Sequence, residues 1–155
     1  MRTCPDVGTI YIMVRPKKGM KPMIRVKKEI LSSECFDEIR RQRGEHQFMQ
    51  FAESKIMPIE GDLLKDGLNI SREDYVKITE NVDIIINSAA SVRFDDPLKE
   101  ALAINFFGPA KLLDLAKKCK KIKVFCHIST AYVNCDQVGA FIEEKIYERP
   151  GENVE

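Results

Sequence analysis

Apolar residues in this chain gather into four short runs, and between the runs they recur at helical spacing. That alternation predicts strands joined by helices. The run Val82-Asp83-Ile84-Ile85-Ile86-Asn87 stops at the small residues Ser88-Ala89-Ala90 and continues into Ser91-Val92-Arg93-Phe94. A strand with one wet face alternates polar and apolar positions, whereas Val82 and Ile84 to Ile86 put apolar side chains on both faces. This strand is therefore predicted to be covered on both sides. Its carboxyl end has two readings. In an open α/β sheet ligands bind beyond the strand ends, where Ser88 to Ala90 would let a flat group approach the main chain. Equally, a core strand can end in a small-residue turn.

Ile10 to Val14 is another β-rich run, feeding the basic turn Arg15-Pro16-Lys17-Lys18-Gly19. Met23, Val26, Ile30 and Leu31, then Phe36 and Ile39 beyond Ser32-Ser33, predict two short amphipathic helices. Arg40 to Glu53, polar apart from Phe48 and Phe51, reads as a surface excursion. Lys55 to Asp62 reads as a strand, and Pro58, with no N–H for a ladder, places it at a sheet edge. Ser71-Arg72-Glu73-Asp74 resembles a capping box, with Tyr75 and Ile78 on the buried side of the helix it opens. Asp95 or Asp96 can cap the next helix, with Pro97 in its first turn. Its predicted inward stripe is Leu98, Ala101, Leu102, Asn105, Leu112, Leu113 and Ala116. The amide of Asn105 then needs partners, either as core specification or as scaffolding of a site. Gly108-Pro109 predicts a kink, because proline clashes with the carbonyl of Asn105. Lys117 to Lys121 suits a helix C-terminus. Lys123 to Ile128 is the last strand and ends in Ser129-Thr130, two hydroxyls that could polarise a substrate or cap a turn. His127 reads as a strand residue with a satisfied ring.

Composition narrows the classes. At 155 residues the chain suits one domain, able to bury ~70% of the surface its unfolded form exposes. Twenty-five lysines and arginines against 24 aspartates and glutamates leave no global field to recruit nucleic acid or an anionic bilayer. The five cysteines form no C-x-x-C pair, and with His46 and His127 they make no zinc-ligand spacing, so no metal site is predicted. No run approaches the ~20 apolar residues of a membrane span, and the amino end lacks a signal-peptide segment. A reduced intracellular chain is the expectation.

Strands alternating with helices predict right-handed crossovers and a doubly wound parallel sheet of the Rossmann type. Such folds open with a glycine-rich turn at a helix N-terminus, yet no G-x-G-x-x-G occurs among the eight glycines. In sheet order 3-2-1-4-5-6 the edge strand is the third, so Pro58 assigns the run at Ile56 to strand three and makes strand one missing. The chain is thus expected to start after its own first strand and helix. The runs at Ile10 and Val82 should then face each other unpaired, about two strand spacings or ~9 to 10 Å apart. Exposed edges of that kind also predict poor solubility.

The segments IYIMVRPKK (Ile10 to Lys18), IEGDL (Ile59 to Leu63), VDIIINSAASVRFDDPLKEAL (Val82 to Leu102) and HISTAYVN (His127 to Asn134) together resemble the alcohol-forming fatty acyl-CoA reductases. The similarity runs from about Cys4 to Pro150. These enzymes are extended short-chain dehydrogenases that use NADPH twice, taking a fatty acyl-CoA through an aldehyde to an alcohol. The resemblance implies that Arg15 holds the adenosine 2′-phosphate, a role in which a guanidinium suits a dianion, with Lys17 and Lys18 adding charge. It assigns Asp62 and Leu63 to the adenine side and Ser88, Ala89 and Ala90 to the ribose and pyrophosphate. Asn105 would support the active site, and Thr130, with Ser129 beside it, would be the catalytic hydroxyl. The family's general acid sits in Tyr-x-x-x-Lys, but none of Tyr11, Tyr75, Tyr132 and Tyr147 has a lysine four residues on. The substrate-binding part and C-terminal membrane-associated region are also outside the sequence, so the fragment alone is expected to be inactive. The resemblance implies a cytosol-facing peroxisomal or endoplasmic reticulum membrane and leaves a homo-oligomer open. Two other readings stand beside it: a reductase of carrier-bound thioesters or carboxylic acids from the same superfamily, and a truncated, non-catalytic interaction module.

Overall fold

Ile10–Val14 (β1) lies parallel to Ile56–Glu60 (β2), with Ile10 opposite Ile56 and Ile12 opposite Pro58. Ile84–Asn87 (β3) lies parallel to Val124–His127 (β4), with Ile84 opposite Val124 and Asn87 opposite His127. Parallel partners cannot be joined by a tight turn, so each pair requires a long crossover, and the intervening sequence supplies helices. This computed structural model describes residues 1–4 and 6–147. The weakly patterned residues 148–155, the end of the predicted single domain, lie outside the described residues, as does Pro5.

The β1–β2 crossover begins with Pro22–Arg25 (α1), which runs directly into a π-helical turn at Val26–Ile30. The wider turn, closed by the Leu31 N–H on the Val26 carbonyl at 2.9 Å, brings Val26 and Leu31 onto one face, and both are fully buried. Asp37–Arg43 (α2) and Glu45–Lys55 (α3) follow. The expected surface excursion at Arg40 to Glu53 is therefore mostly helix, and Phe48 and Ala52 within it have no exposed surface. Two anchors one helical turn apart suffice to hold α3 on the core, even though its other positions are mostly polar. Pro58 lies in β2, whose ladder partner among the described residues is β1 alone, as an edge strand requires.

Arg72–Asn81 (α4) starts as predicted, with Ser71 Oγ accepting the Asp74 N–H at 3.1 Å. It buries Ile78 and Thr79, while the predicted inward Tyr75 is 39% exposed. The long helix before β4 comprises Leu98–Leu102 (α5), a π turn at Ala103–Phe107, and Gly108–Ala116 (α6). Pro97 occupies the N-cap position, and neither Asp95 nor Asp96 caps it. The chain meets Pro109 by widening: the Gly108 N–H reaches back five residues to the Ala103 carbonyl, so the proline falls in the first turn of a new α segment. The inward stripe is Gly108, Leu112, Leu115 and Ala116, whereas Leu98, Leu102 and Leu113 are exposed, so the predicted stripe holds only in its last turns.

Two clusters form the core. Val26, Leu31, Ile39, Phe48 and Ala52 pack beneath β1 and β2, and Ile59, Ile78, Val82, Leu112 and Leu115 join β2 to the helices beside β3. β1 and β3 are not paired with each other, in agreement with the expectation of an open gap. β3 is covered on one side only, with Ile84 54% and Ile86 68% exposed, which corrects the prediction of a strand covered on both faces.

Because Phe48 fills the first cluster completely, Phe48→Ala should lower unfolding free energy by about 3 to 5 kcal/mol. Phe106→Ala, at a site 61% exposed, should change it by no more than about 0.5 kcal/mol. Chemical denaturation followed by circular dichroism checks both, and equal losses would contradict the burial described.

Candidate functional site

β1 ends where Pro16 removes a ladder donor, and the chain turns through Lys17 to Met20 with Gly19 at a φ of +73°, a left-handed conformation that favours glycine. Arg25 on α1 secures this turn, its Nη1 donating to the Arg15 carbonyl at 2.6 Å. Glu29 accepts from Arg25 Nε at 2.7 Å and from Lys17 Nζ at 3.0 Å. Those bonds, Arg25 first and Lys17 second, hold the Glu29 carboxyl below the ordinary glutamate range. Lys17 is thus already engaged. The Arg15 guanidinium and the Lys18 ammonium, both exposed, have no carboxylate partner among the described residues.

β2 ends at Gly61, whose N–H donates to the Val14 carbonyl at 3.0 Å. A Cβ there would lie 3.0 Å from Met13 Cγ and 3.1 Å from the Leu68 carbonyl oxygen, so the close passage of the two strand ends needs glycine. Asp62 closes a tight turn: its N–H donates to the Leu68 carbonyl at 2.7 Å and its Oδ1 accepts the Leu64 N–H at 3.0 Å. α6 fixes this loop from the other side. Lys111 Nζ donates to the carbonyls of Leu63, Leu64 and Lys65 at 3.5, 3.3 and 3.2 Å, and Gly108 lets Leu63 sit against the helix.

β3 ends at Asn87, which is 2% exposed. Its Nδ2 donates to His127 Nδ1 on β4 at 2.9 Å, and its Oδ1 accepts the Ala89 N–H at 3.3 Å. The His127 ring thus has a partner, as predicted, and the exit of the chain into Ser88 to Ala90 is set. Asn105 then grips the next residue at two points. Its Oδ1 accepts the Ser91 N–H at 2.8 Å and its Nδ2 donates to the Ser91 carbonyl at 3.1 Å. The amide is exposed and bonded to a loop, which corrects its placement in the core stripe while meeting the requirement for partners. Ser91 Oγ donates in turn to the Asp96 carboxylate.

β4 leads into Ser129 and Thr130, both exposed. Thr130 Oγ1 accepts the Tyr132 N–H at 3.2 Å at the start of a short helical turn, Ala131–Asn134. Tyr132 meets Phe94 edge to face, ring centroids 5.9 Å apart, so the loops after β3 and β4 touch.

Arg15, Asp62, Leu63, Ser88, Ala89 and Ala90 all line one open cavity of about 1180 Å³ between β1 and β3. Six of the nine predicted site residues are therefore brought together. Asn105, Ser129 and Thr130 lie outside that lining, Asn105 on the helix before β4 and bonded to Ser91, and the two hydroxyls at the end of β4. The residues present fit the adenosine half of a dinucleotide: an unpaired guanidinium at the end of β1, a fixed carboxylate-bearing turn after β2, and a small-residue main chain after β3. The glycine-rich turn for the pyrophosphate is not in the sequence. Sequence reasoning passed over Asn87, Gly61, Gly108 and Lys111. Asn87 could have been found as the one polar side chain closing the apolar run Ile84 to Ile86, where burial obliges it to have a partner. The three others act through distances that no local pattern encodes.

Comparison with known proteins agrees with this geometry. The profile of an NAD-binding family described as Male sterility protein matches residues 1–154. The chain is similar to fatty acyl-CoA reductase 2, chloroplastic, of Arabidopsis thaliana, with 36% identity over 144 residues, 93% of this chain and 23% of that protein. It is similar to fatty acyl-CoA reductase 1 of Xenopus laevis at 37% identity over 150 residues, 97% of this chain and 27% of that protein. It thus spans about a quarter of the length of the curated relatives it matches. Among solved structures, the terminal R domain from the myxalamid PKS-NRPS biosynthetic pathway superposes with a TM-score of 0.59 and 27% identity, over 79% of this chain and 28% of that one. A thiolation-reductase di-domain from an archaeal non-ribosomal peptide synthetase gives 0.54 and 26%, over 81% and 29%. The parallel strand pairs of this chain, with the carboxyl ends of β1, β2 and β3 on one crevice, have the Rossmann-like α/β fold of these reductase domains, and the chain belongs to the Male sterility protein family of NAD-binding domains.

Proposed function

We propose that this chain is the adenosine-binding part of an NADPH-dependent reductase that converts a long-chain fatty acyl-CoA through the aldehyde to the primary alcohol. The observation that carries the cofactor choice is the unpaired Arg15 guanidinium beside the cavity that Asp62 and Ser88 to Ala90 also line. A 2′-phosphate is a dianion that a guanidinium can meet with two parallel N–H bonds, whereas an NAD site usually offers an acid there. The substrate class rests on the likeness to fatty acyl-CoA reductases at 36 to 37% identity.

Bound in the complete site, the reduced nicotinamide supplies hydride to the carbonyl carbon. Within this chain, Thr130 is assigned the carbonyl oxygen. Its Oγ1 accepts the Tyr132 N–H, so its own O–H is free to donate where negative charge develops. Ser129 is the neighbouring second hydroxyl. Asn87 and Asn105 are positioning residues, holding the entry and exit of Ser88 to Ala90. The proton that completes the alcohol comes from a group outside these 155 residues, since no tyrosine here precedes a lysine by four. Any membrane contact, peroxisomal or endoplasmic, is likewise assigned outside it. Among the described residues no helix is long and apolar enough to cross a membrane.

A second reading, reduction of carrier-bound thioesters, is favoured by the two structural neighbours, both reductase domains of peptide or polyketide synthetases. Offering the complete protein acyl-CoA and acyl-carrier substrates in parallel distinguishes the two, with turnover of the CoA ester expected. No turnover of either by the complete protein would favour a non-catalytic module.

In the complete enzyme, Arg15→Ala should raise the KM for NADPH by about tenfold or more, as loss of a charge-assisted contact worth roughly 1.5 to 3 kcal/mol requires. NADH use should hardly change; equal losses with both cofactors would remove Arg15 from the phosphate.

Thr130→Val should lower kcat by ~10² or more with NADPH binding nearly intact, as removal of one oxyanion donor does. Ser129→Ala should cost less, and single-turnover kinetics returning the opposite order would transfer the role to Ser129.

A further inference from the structure

β3 and β4 finish side by side, and each leads into a different part of the site: Ser88 to Ala90 follow Asn87, and Ser129 and Thr130 follow His127 and Ile128. Asn87 and His127 are register partners, so their side chains leave the same face of the sheet next to each other. Asn87 serves both strand ends. Its main-chain carbonyl accepts the Ile128 N–H at 2.8 Å, immediately before Ser129. Its Oδ1 accepts the Ala89 N–H at 3.3 Å, in the stretch that lines the cavity. The other half of the amide, Nδ2, has His127 Nδ1 as its partner at 2.9 Å.

An amide that is 2% exposed cannot leave its NH2 group to water. The partner on β4 therefore decides which way the Asn87 side chain faces. Turning the amide over would set Nδ2 against the Ala89 N–H, donor against donor, and release the main chain there. We propose that His127 is a positioning residue for hydride transfer: by fixing the orientation of the Asn87 amide, it holds the cofactor-side main chain at Ala89 in place relative to the hydroxyls of Ser129 and Thr130. The inference rests on the reductase reading, which puts the cofactor against Ser88 to Ala90 and the substrate carbonyl at Thr130. Hydride transfer tolerates little misplacement, an error of about 1 Å costing on the order of 10² in rate. His127 is not among the residues lining the cavity and moves no proton in this role. What the site uses is the acceptor atom of its ring, and a glutamine carbonyl offers an acceptor too.

The complete enzyme carrying His127→Phe or His127→Gln tests this. Phenylalanine keeps a flat ring and removes the acceptor, whereas glutamine keeps an acceptor and removes the ring. His127→Phe should lower kcat by about tenfold or more with the KM for NADPH nearly unchanged, and the primary isotope effect from deuterated NADPH should rise as the hydride step becomes limiting. His127→Gln should recover most of both. Hydrogen exchange at the Ala89 amide, followed without substrate on the same proteins, should speed up by about fivefold in His127→Phe, as loss of one hydrogen bond does, and slow again in His127→Gln. Unchanged kcat or unchanged Ala89 exchange in His127→Phe overturns the proposal. So does a glutamine variant no better than phenylalanine, since the imidazole itself would then be required, as for a proton donor. A wild-type enzyme that turns over no acyl thioester removes the reductase reading and the proposal with it, whereas an active one indifferent to His127→Phe removes the proposal alone.

Discussion

A strand in a parallel sheet needs a hydrogen-bonding neighbour and cannot reach it by a tight turn. That constraint organises the molecule. It sends the chain from β1 through α1, α2 and α3 before β2 can lie alongside, and from β3 through α5 and α6 before β4 can. Each crossover returns the chain in the same direction, so within each pair the strands finish at one end. Arg15, Asp62 and Ser88 meet there because of the chain's path, although 73 residues of sequence separate the first from the last.

Local charge at that meeting point differs from the balance of the whole. The chain carries a formal charge of +1, yet around the end of β1, with Arg15, Lys17, Lys18 and Arg25, the one carboxylate paired to any of these cations among the described residues is Glu29. Glu29 is shared between Arg25 and Lys17, and Arg25 also ties the Arg15 carbonyl. The main chain of Arg15 is thereby anchored while its side chain stays exposed, an arrangement that preserves positive charge for an anion instead of consuming it within the protein. At the end of β3 the anchoring is neutral and buried, through Asn87 and His127. The two strand ends are held by different chemistry because one faces water and the other the core.

Four strands and the main helices were legible because their signals are local: apolar runs, the Ser71 cap, and Pro58 at an edge. The gap between β1 and β3 was legible for a topological reason, since an edge proline fixes the strand order. Features that depend on burial were not. α3 looked like a polar excursion because only Phe48 and Ala52 of its eleven residues are buried. β3 looked doubly covered because its composition is that of a buried strand, although Ile84 and Ile86 are exposed. In the site, the family likeness located the strand-end residues that share a cavity, but composition could not reveal that Asn105 works on a loop. Its grip on Ser91 spans 14 positions and is set by the helix's rotation.

That rotation comes from the π turn at Ala103–Phe107. One additional residue in a turn rotates everything beyond it by about 100° relative to an uninterrupted α-helix. Within the wide turn Asn105 meets the loop after β3, and downstream Gly108 and Lys111 meet the loop after β2. A single rigid rod thus carries two attachment faces whose angular offset is stored in one surplus residue. The length of this segment is consequently as constrained as its composition: a one-residue deletion could preserve every apolar position and still leave the walls of the crevice out of phase with each other.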